Sequence, residues 1–218
     1  YTIPLVKKKT MIGGFGCCAI CGKSTDSDGK KTKLTSEHII PEFLGSGIEL
    51  SGSSCYACQA ATSYFESNVA SSLFDPVRKQ FSLSGKNGVI DSSNFPIDIG
   101  RETSDKVFIP LRHFPTILTM PRLYPASSYS NRQLDSFDIF GATLYNINAD
   151  KNFLKKYAID AVSSQIIDLV SFCQLIAKIA HVSVVSIHGF HSFRPFLNQF
   201  ITEKFPKDKA NVGHFNFI

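Results

Sequence analysis

The stretch Cys18-Ala19-Ile20-Cys21 opens a segment that closes on a second stretch of the same form, Cys55-Tyr56-Ala57-Cys58. A Cys-x-x-Cys turn offers two thiolates to one tetrahedral ion, and two such turns complete a four-sulfur shell with no open position. A disulfide scaffold is the alternative use of six cysteines, but paired Cys-x-x-Cys turns in a chain this long favour a metal and a reducing compartment. The sequence therefore predicts a structural zinc site on Cys18, Cys21, Cys55 and Cys58.

Two further cysteines lie outside these pairs. Cys17 competes with Cys18 as the partner of Cys21, and the two-residue gap favours Cys18. Cys173 lies in an apolar helical run and is predicted to be a small buried hydrophobic residue.

The segment between the cysteine pairs is predicted to form a β-hairpin followed by a helix. A strand over 35–40 ends where Pro41 prevents further pairing. A short second strand covers 48–50, between turns at 45–47 and 51–54. The apolar spacing after Cys55 predicts a helix from Tyr56 to about Leu73.

The hairpin carries a histidine directly after a carboxylate, in the phrase Glu37-His38-Ile39-Ile40-Pro41. The order Cys-x-x-Cys, Glu-His-Ile-Ile-Pro, Cys-x-x-Cys and helix resembles the zinc-knuckle branch of the HNH, or ββα-metal, nucleases. The most specific part of this resemblance is 37–45, which reads EHIIPEFLG. Residues 175–181 and 189–197 also resemble a C-terminal region that follows this motif in some bacterial HNH proteins.

The resemblance implies a catalytic role for several of these residues. His38 takes the position of the general base, since a neutral imidazole accepts a proton from water at neutral pH. Glu37 takes the position of the first ligand of a catalytic divalent cation such as Mg, Mn or Ni, which stabilises charge on the phosphate. Gln59 occupies the second ligand position, where the family usually has His or Asn. Glu66, two helical turns later on the same face, is a candidate for a further carboxylate.

One element of the family pattern is missing from this chain. The middle Asn that orients the catalytic histidine in many members has no counterpart in 50–54. Ser51 or Ser53 is the candidate replacement as a hydrogen-bond partner of His38.

The resemblance implies a metal-dependent endonuclease that hydrolyses phosphodiester bonds in DNA, in a defence system or a mobile element. The alternative is a catalytically inactive HNH-like zinc module that binds nucleic acid or a protein partner. Seven lysines and two aspartates in 1–35 make this leader basic and suited to phosphate. The expected partner is therefore nucleic acid, most readily DNA.

The predicted fold class is α+β, with an HNH-like module over 1–80 and an accessory region over 81–218. The accessory region is predicted to form strands and loops over 81–150 and helices over 151–206, including a long helix over 153–185 that is either continuous or broken once. The histidines at 181, 188 and 191 form a weak candidate metal cluster. The C-terminal helices are also candidates for contact with a protein partner or a second copy.

The composition of the chain supports expectations about its folding, membrane contact and location. Hydrophobic residues make up 43% of the 218 residues, and the net charge is +5, which fits a folded, mildly basic protein. No uninterrupted apolar run of about 18 residues is seen in the sequence. We therefore expect no membrane partner and a cytoplasmic location.

Overall fold

The computed structural model of the protein describes residues 9–25, 28–45, 47–83, 94–98, 106–123, 139–148, 152–157, 165–204 and 212–215. The fold is mixed α+β, with small sheets and a few helices. Its contacts divide the chain into two compact units. The first unit is Tyr1–Val69 with Val170–Lys207, and the second is Ala70–Leu169 with Asp208–Ile218.

A three-stranded sheet and one long helix form the N-terminal part of the first unit. The strands are β1 (Thr10–Ile12), β2 (Leu34–His38) and β3 (Ile48–Cys55). β3 lies between the other two, antiparallel to β2 and parallel to β1. Helix α1 (Tyr56–Ser71) begins directly after β3. The predicted hairpin and helix are thus present.

The second strand of the hairpin is longer than predicted. Residues 51–54, expected as a turn, belong to β3, so that expectation is wrong. The pairing passes from Thr35 opposite Ser54 to Glu37 opposite Leu50, which leaves a bulge at 51–53. Gly52 has a φ of 53° there, a conformation that glycine adopts without strain. The glycine and serines that indicate a turn in the sequence form this bulge instead.

The bulge ties the first cysteine turn to the hairpin. The backbone N–H of Ala19 donates to the carbonyl of Ser53 at 2.7 Å, a group that the bulge releases from the strand ladder. In the same turn, a Cβ at Gly22 would overlap the ring of Phe190. Any larger residue at Gly22 would therefore force the ring away.

The core of the first unit joins this cysteine turn to the C-terminal helices. Helix α1 buries Cys58, Thr62, Phe65 and Val69 at spacings of three and four residues. A buried apolar cluster combines residues of the cysteine turn, the sheet and the C-terminal segment. It consists of Cys17, Ala19, Leu50, Val185 and Phe190, with Ile12 and Phe193 packed against it.

The second unit contains two helices and three two-stranded sheets in the described part of the chain. Its helices are α2 (Asp75–Gln80) and α3 (Phe153–Tyr157). The strands β4 (Asn94–Asp98) and β5 (Lys106–Pro110) pair, as do β6 (Thr116–Leu123) and β7 (Ile139–Asn148), and β8 (Gln165–Asp168) and β9 (Val212–Phe215). Ile109 and Phe153 are buried together with Val107, Phe114 and Tyr157 against them.

The prediction of a long helix over 153–185 allowed for one break, but residues 165–168 form a strand, so the helical prediction is wrong there. Strand β8 precedes a helix α4 (Leu169–His188), and 158–164 lie outside the described residues. β8 pairs with β9, whose residues come more than 40 positions later, and a local apolar pattern carries no signal of such a partner. After α4, a 3₁₀ turn (Phe190–Ser192) and a short helix α5 (Asn198–Thr202) complete the C-terminal region of the first unit.

Helix α4 is 20 residues long. By length and composition alone it is long and apolar enough to cross a membrane, although the sequence suggested no such segment, and half of its apolar window is buried inside the protein. A buried core helix meets the same criterion.

Candidate functional site

Four cysteines meet where the first cysteine turn, the end of β3 and the start of α1 come together. The sulfur atoms of Cys18, Cys21, Cys55 and Cys58 all lie within 4.8 Å of one another. Cys21 Sγ and Cys55 Sγ are 3.8 Å apart, and tetrahedral zinc with bonds of about 2.3 Å places its sulfurs about 3.8 Å apart. These cysteines could therefore hold a structural zinc, and Cys18 rather than Cys17 completes the set.

The donor chemistry of this site suits a soft divalent ion. All four donors are sulfur, and tetrahedral thiolate sets favour zinc. Hydrogen bonds from the thiols of Cys18 and Cys58 lower the pKa of Cys21, and the bonds that Cys58 makes with Cys18 and Cys21 raise its own pKa. A divalent cation would hold all four sulfurs as thiolates.

Helix α4 braces the first cysteine turn through His181. The His181 Nε2 lies 2.9 Å from the carbonyl oxygen of Ala19, which can only accept, so Nε2 carries the proton. Burial lowers the pKa of His181 and favours the neutral ring. The edges of Phe190 and Phe193 also contact this ring. His181 is therefore a structural partner of the cysteine site.

The three C-terminal histidines, which the sequence disfavours as a metal site because no acidic or thiolate residue accompanies them, do not come together. His181 is buried, whereas His188 and His191 are exposed. Within the described residues, the four cysteines are the one group of three or more Cys, His, Asp or Glu side chains close enough to hold an ion.

We expect His181→Ala to lower the zinc affinity of the first unit. Groups that orient a metal site from outside its ligand shell typically contribute about 10–100-fold to metal affinity. Competition with a chromophoric zinc chelator measures this change, and His188→Ala, an exposed histidine on the same helix, is the matched control. Equal zinc affinity in both variants would mean that the Ala19 contact does not support the site.

The predicted metal ligand Glu37 is buried against a lysine that comes from α4. Lys178 Nζ lies 2.8 Å from Glu37 Oε1 and 3.1 Å from Glu66 Oε1. The same ammonium donates to the backbone carbonyl of His38. Lys178 is fully buried. Burial opposes its charged form, but Glu37 and Glu66 outweigh that effect and raise the pKa of Lys178.

Glu66 pairs with the same ammonium as Glu37. Its carboxylate is less buried than that of Glu37. Burial raises the pKa of Glu66, and Lys178 opposes the rise. The structure therefore brings Glu37 and Glu66 together around an ammonium.

His38, at the end of β2, faces a second carboxylate. Its side chain is 32% exposed, and its Nε2 lies 3.9 Å from Glu49 Oε1, directly across the hairpin. The Nδ1 atom is buried without a hydrogen-bond partner in the described part of the chain. Glu49 is buried and binds the exposed Lys9 at 2.7 Å, and that bond is the main cause of the lowered pKa of Glu49.

The other candidate site residues do not join His38 through hydrogen bonds. Gln59 lies in the first turn of α1, where its carbonyl accepts from Thr62 Oγ1 at 3.3 Å. No bond links its amide to Glu37 or His38 among the described contacts. Ser53 Oγ donates to the carbonyl of Ser51, so neither serine replaces the missing Asn. Glu49, 3.9 Å from His38 Nε2, is the charged side chain that faces the ring.

A catalytic divalent cation does not fit beside Glu37 as this site stands. Glu37 Oε1 already binds the ammonium of Lys178, so an ion at that oxygen would have to displace a cation. Glu66 and the His38 carbonyl contact the same ammonium. No catalytic step is therefore assigned to a metal ion here.

No protein-family model, curated protein or solved structure matches this chain. The four-cysteine cluster is consistent with a zinc-knuckle module on its geometry alone.

Proposed function

We propose that this chain is an HNH-like endonuclease that hydrolyses phosphodiester bonds in DNA, with zinc in the four-cysteine site and His38 as general base. One observation carries the proposal: a part-exposed His38 faces a buried carboxylate at the end of a hairpin that the cysteine site joins to α1. A catalytic base needs both water access and a fixed partner, and this pair has them.

The pairing with Glu49 suits His38 to accept a proton. Because Nδ1 is buried, Nε2 is the nitrogen that can exchange a proton with water. The carboxylate of Glu49 lies 3.9 Å from this nitrogen, where its negative charge favours the imidazolium that proton transfer creates. A bridging water can also connect His38 Nε2 and Glu49 Oε1 at this separation.

Positive charge for the phosphate comes from lysines on the same unit. Lys9 binds Glu49 and remains exposed. The lysines at 23, 30, 31 and 33 are exposed as well, and Lys7 and Lys8 lie outside the described residues. Such a surface attracts a nucleic-acid backbone with an affinity that falls as salt rises.

The cellular setting follows from the same chemistry and the resemblance. Free thiols for zinc persist in a reducing compartment, which supports a cytoplasmic protein. A role in defence or in a mobile element follows from the HNH resemblance alone.

A second candidate function is a zinc module that binds nucleic acid or a protein partner without cleaving it. The neutralisation of Glu37 by Lys178 favours this candidate, because it removes the ligand of the divalent ion on which HNH chemistry depends.

Cleavage of supercoiled plasmid by zinc-loaded protein, with and without added Mg²⁺, tests the proposed function. We expect His38→Ala to slow nicking by about 10²–10⁴-fold, the usual contribution of a general base. Zinc content, melting temperature and DNA affinity should stay near the wild-type values, since the change removes only a proton acceptor from a part-exposed position.

His188→Ala provides the matched control, because His188 is exposed and distant in sequence from the hairpin. It should cleave at the wild-type rate. DNA binding by a wild-type protein that does not nick would select the binding module. Undiminished nicking by His38→Ala would place the chemistry at other residues.

A further inference from the structure

We infer that the ammonium of Lys178 is the resident cation of an oxygen cradle formed by Glu37, Glu66 and the backbone carbonyl of His38, and that it excludes a divalent ion from this position. The inference goes beyond the proposed endonuclease activity. It concerns cation binding at Glu37, and exclusion of a divalent ion there would favour the second candidate function, because HNH chemistry depends on such an ion.

The cradle has the ligands of a site for a hard cation. Two carboxylates and a carbonyl are the oxygen donors that Mg²⁺ and Mn²⁺ bind. In this structure all three face one Nζ atom, at 2.8 Å for Glu37 and 3.1 Å for Glu66. The ammonium donates to the His38 carbonyl and forms ion pairs with both carboxylates. The cation that these oxygen atoms bind is therefore a side chain of the protein itself.

Charge explains why an ammonium and a divalent ion exclude each other. A metal ion at Glu37 would lie within a few ångströms of the Lys178 ammonium, in a buried setting where like charges repel strongly. Lys178 is fully buried and would have to leave the cradle first.

Helix α4 is anchored by hydrogen bonds on the N-terminal and the C-terminal side of Lys178, on the same helix face. Gln174, four residues earlier, donates to the carbonyls of Phe200 and Glu203 at 3.0 and 2.9 Å. His181, three residues later, donates to the carbonyl of Ala19. The ammonium is therefore delivered at a fixed position by a helix that is anchored within the first unit.

Mn²⁺ titration of zinc-loaded protein tests the inference. Isothermal calorimetry should detect no Mn²⁺ binding by the wild-type protein up to millimolar ion, apart from weak surface binding. Lys178→Met, which keeps the length and apolar stem of the side chain, should bind one Mn²⁺ at least about tenfold more tightly. Because the ion binds the folded state, it should also raise the melting temperature of this variant.

The double variant Lys178→Met/Glu37→Gln is the control for the position of the gained site. It should lose the Mn²⁺ binding that Lys178→Met acquires, because one of two carboxylates is gone. Should Lys178→Met be unfolded without divalent ions, recovery of its circular dichroism on addition of Mn²⁺ is the expected result.

Two results would overturn the inference. Wild-type protein that binds Mn²⁺ and loses it in Glu37→Gln would show that the cradle accepts the ion beside Lys178. A Lys178→Met protein, folded or not, that neither binds Mn²⁺ nor is rescued by it would show that Lys178 is only a structural ion-pair partner.

Discussion

Cys58→Ser should abolish zinc binding and unfold the first unit. Structural zinc sites contribute about 10–16 kcal/mol of apparent binding free energy in zinc-finger peptides, which is comparable to the whole stability of a typical domain, about 5–15 kcal/mol. The cysteine turn, β3 and α1 all meet at this site, so its loss affects the entire hairpin. We expect the melting temperature to fall by about 10 °C or more, together with zinc content measured by elemental analysis.

Cys17→Ser separates loss of zinc from loss of packing. Cys17 adjoins Cys18 in sequence and is buried, but it packs in the apolar cluster with Leu50 and Phe190. The Cys17→Ser variant should keep a full equivalent of zinc and lose about 1 kcal/mol of stability. Zinc retained at wild-type stability in Cys58→Ser, or zinc lost in Cys17→Ser, would contradict the assignment of the four sulfurs.

The cysteine site and the hairpin could be predicted because their signals are local. The Cys-x-x-Cys spacing names the ligands, and the helix begins directly after Cys55 as its apolar spacing indicates. The extent of β3 could not be predicted in the same way. A glycine with serines indicates a turn, and only the paired strand shows that Gly52 forms a bulge.

Long-range contacts explain what sequence reasoning missed at the candidate site. Lys178 meets the carbonyl of His38 across 140 positions, and no spacing rule predicts such a contact. A signal was nevertheless present, because an otherwise apolar helix carries a polar stripe with helical spacing. Its members, all buried, are Ser171, Gln174, Lys178 and His181.

Glu49 was missed for a different reason. It lies opposite His38 only once the hairpin register is known. The predicted domain boundary after residue 80 stays a prediction, although the contacts group 170–207 with the N-terminal residues.

Loss of either partner of the Lys178–Glu37 pair should destabilise the protein far more than loss of a surface pair. Removing one member of a buried ion pair typically costs about 3–5 kcal/mol, because the remaining charge is left without a partner. We therefore expect Lys178→Met and Glu37→Gln each to lower the free energy of unfolding by about that amount. Urea denaturation of zinc-loaded protein without other divalent ions measures the change.

The pair of Lys79 and Asp75 on α2 provides the contrast. These residues are four apart on one helix, 2.6 Å from each other and partly exposed, so Lys79→Met should cost only about 0.3–0.5 kcal/mol. A comparable loss in both lysine variants would mean that burial of Lys178 adds nothing to the strength of its pair.

The double variant Lys178→Met/Glu37→Gln should recover much of the stability that either change removes. No ionised group then remains at Glu37, and Glu66, whose pKa burial already raises, can take up a proton instead of staying charged without its ammonium. The double-mutant cycle should therefore show strong coupling between positions 37 and 178. Additive costs would mean that the two side chains stabilise the fold independently, and the ammonium would then not be the partner on which the buried Glu37 depends.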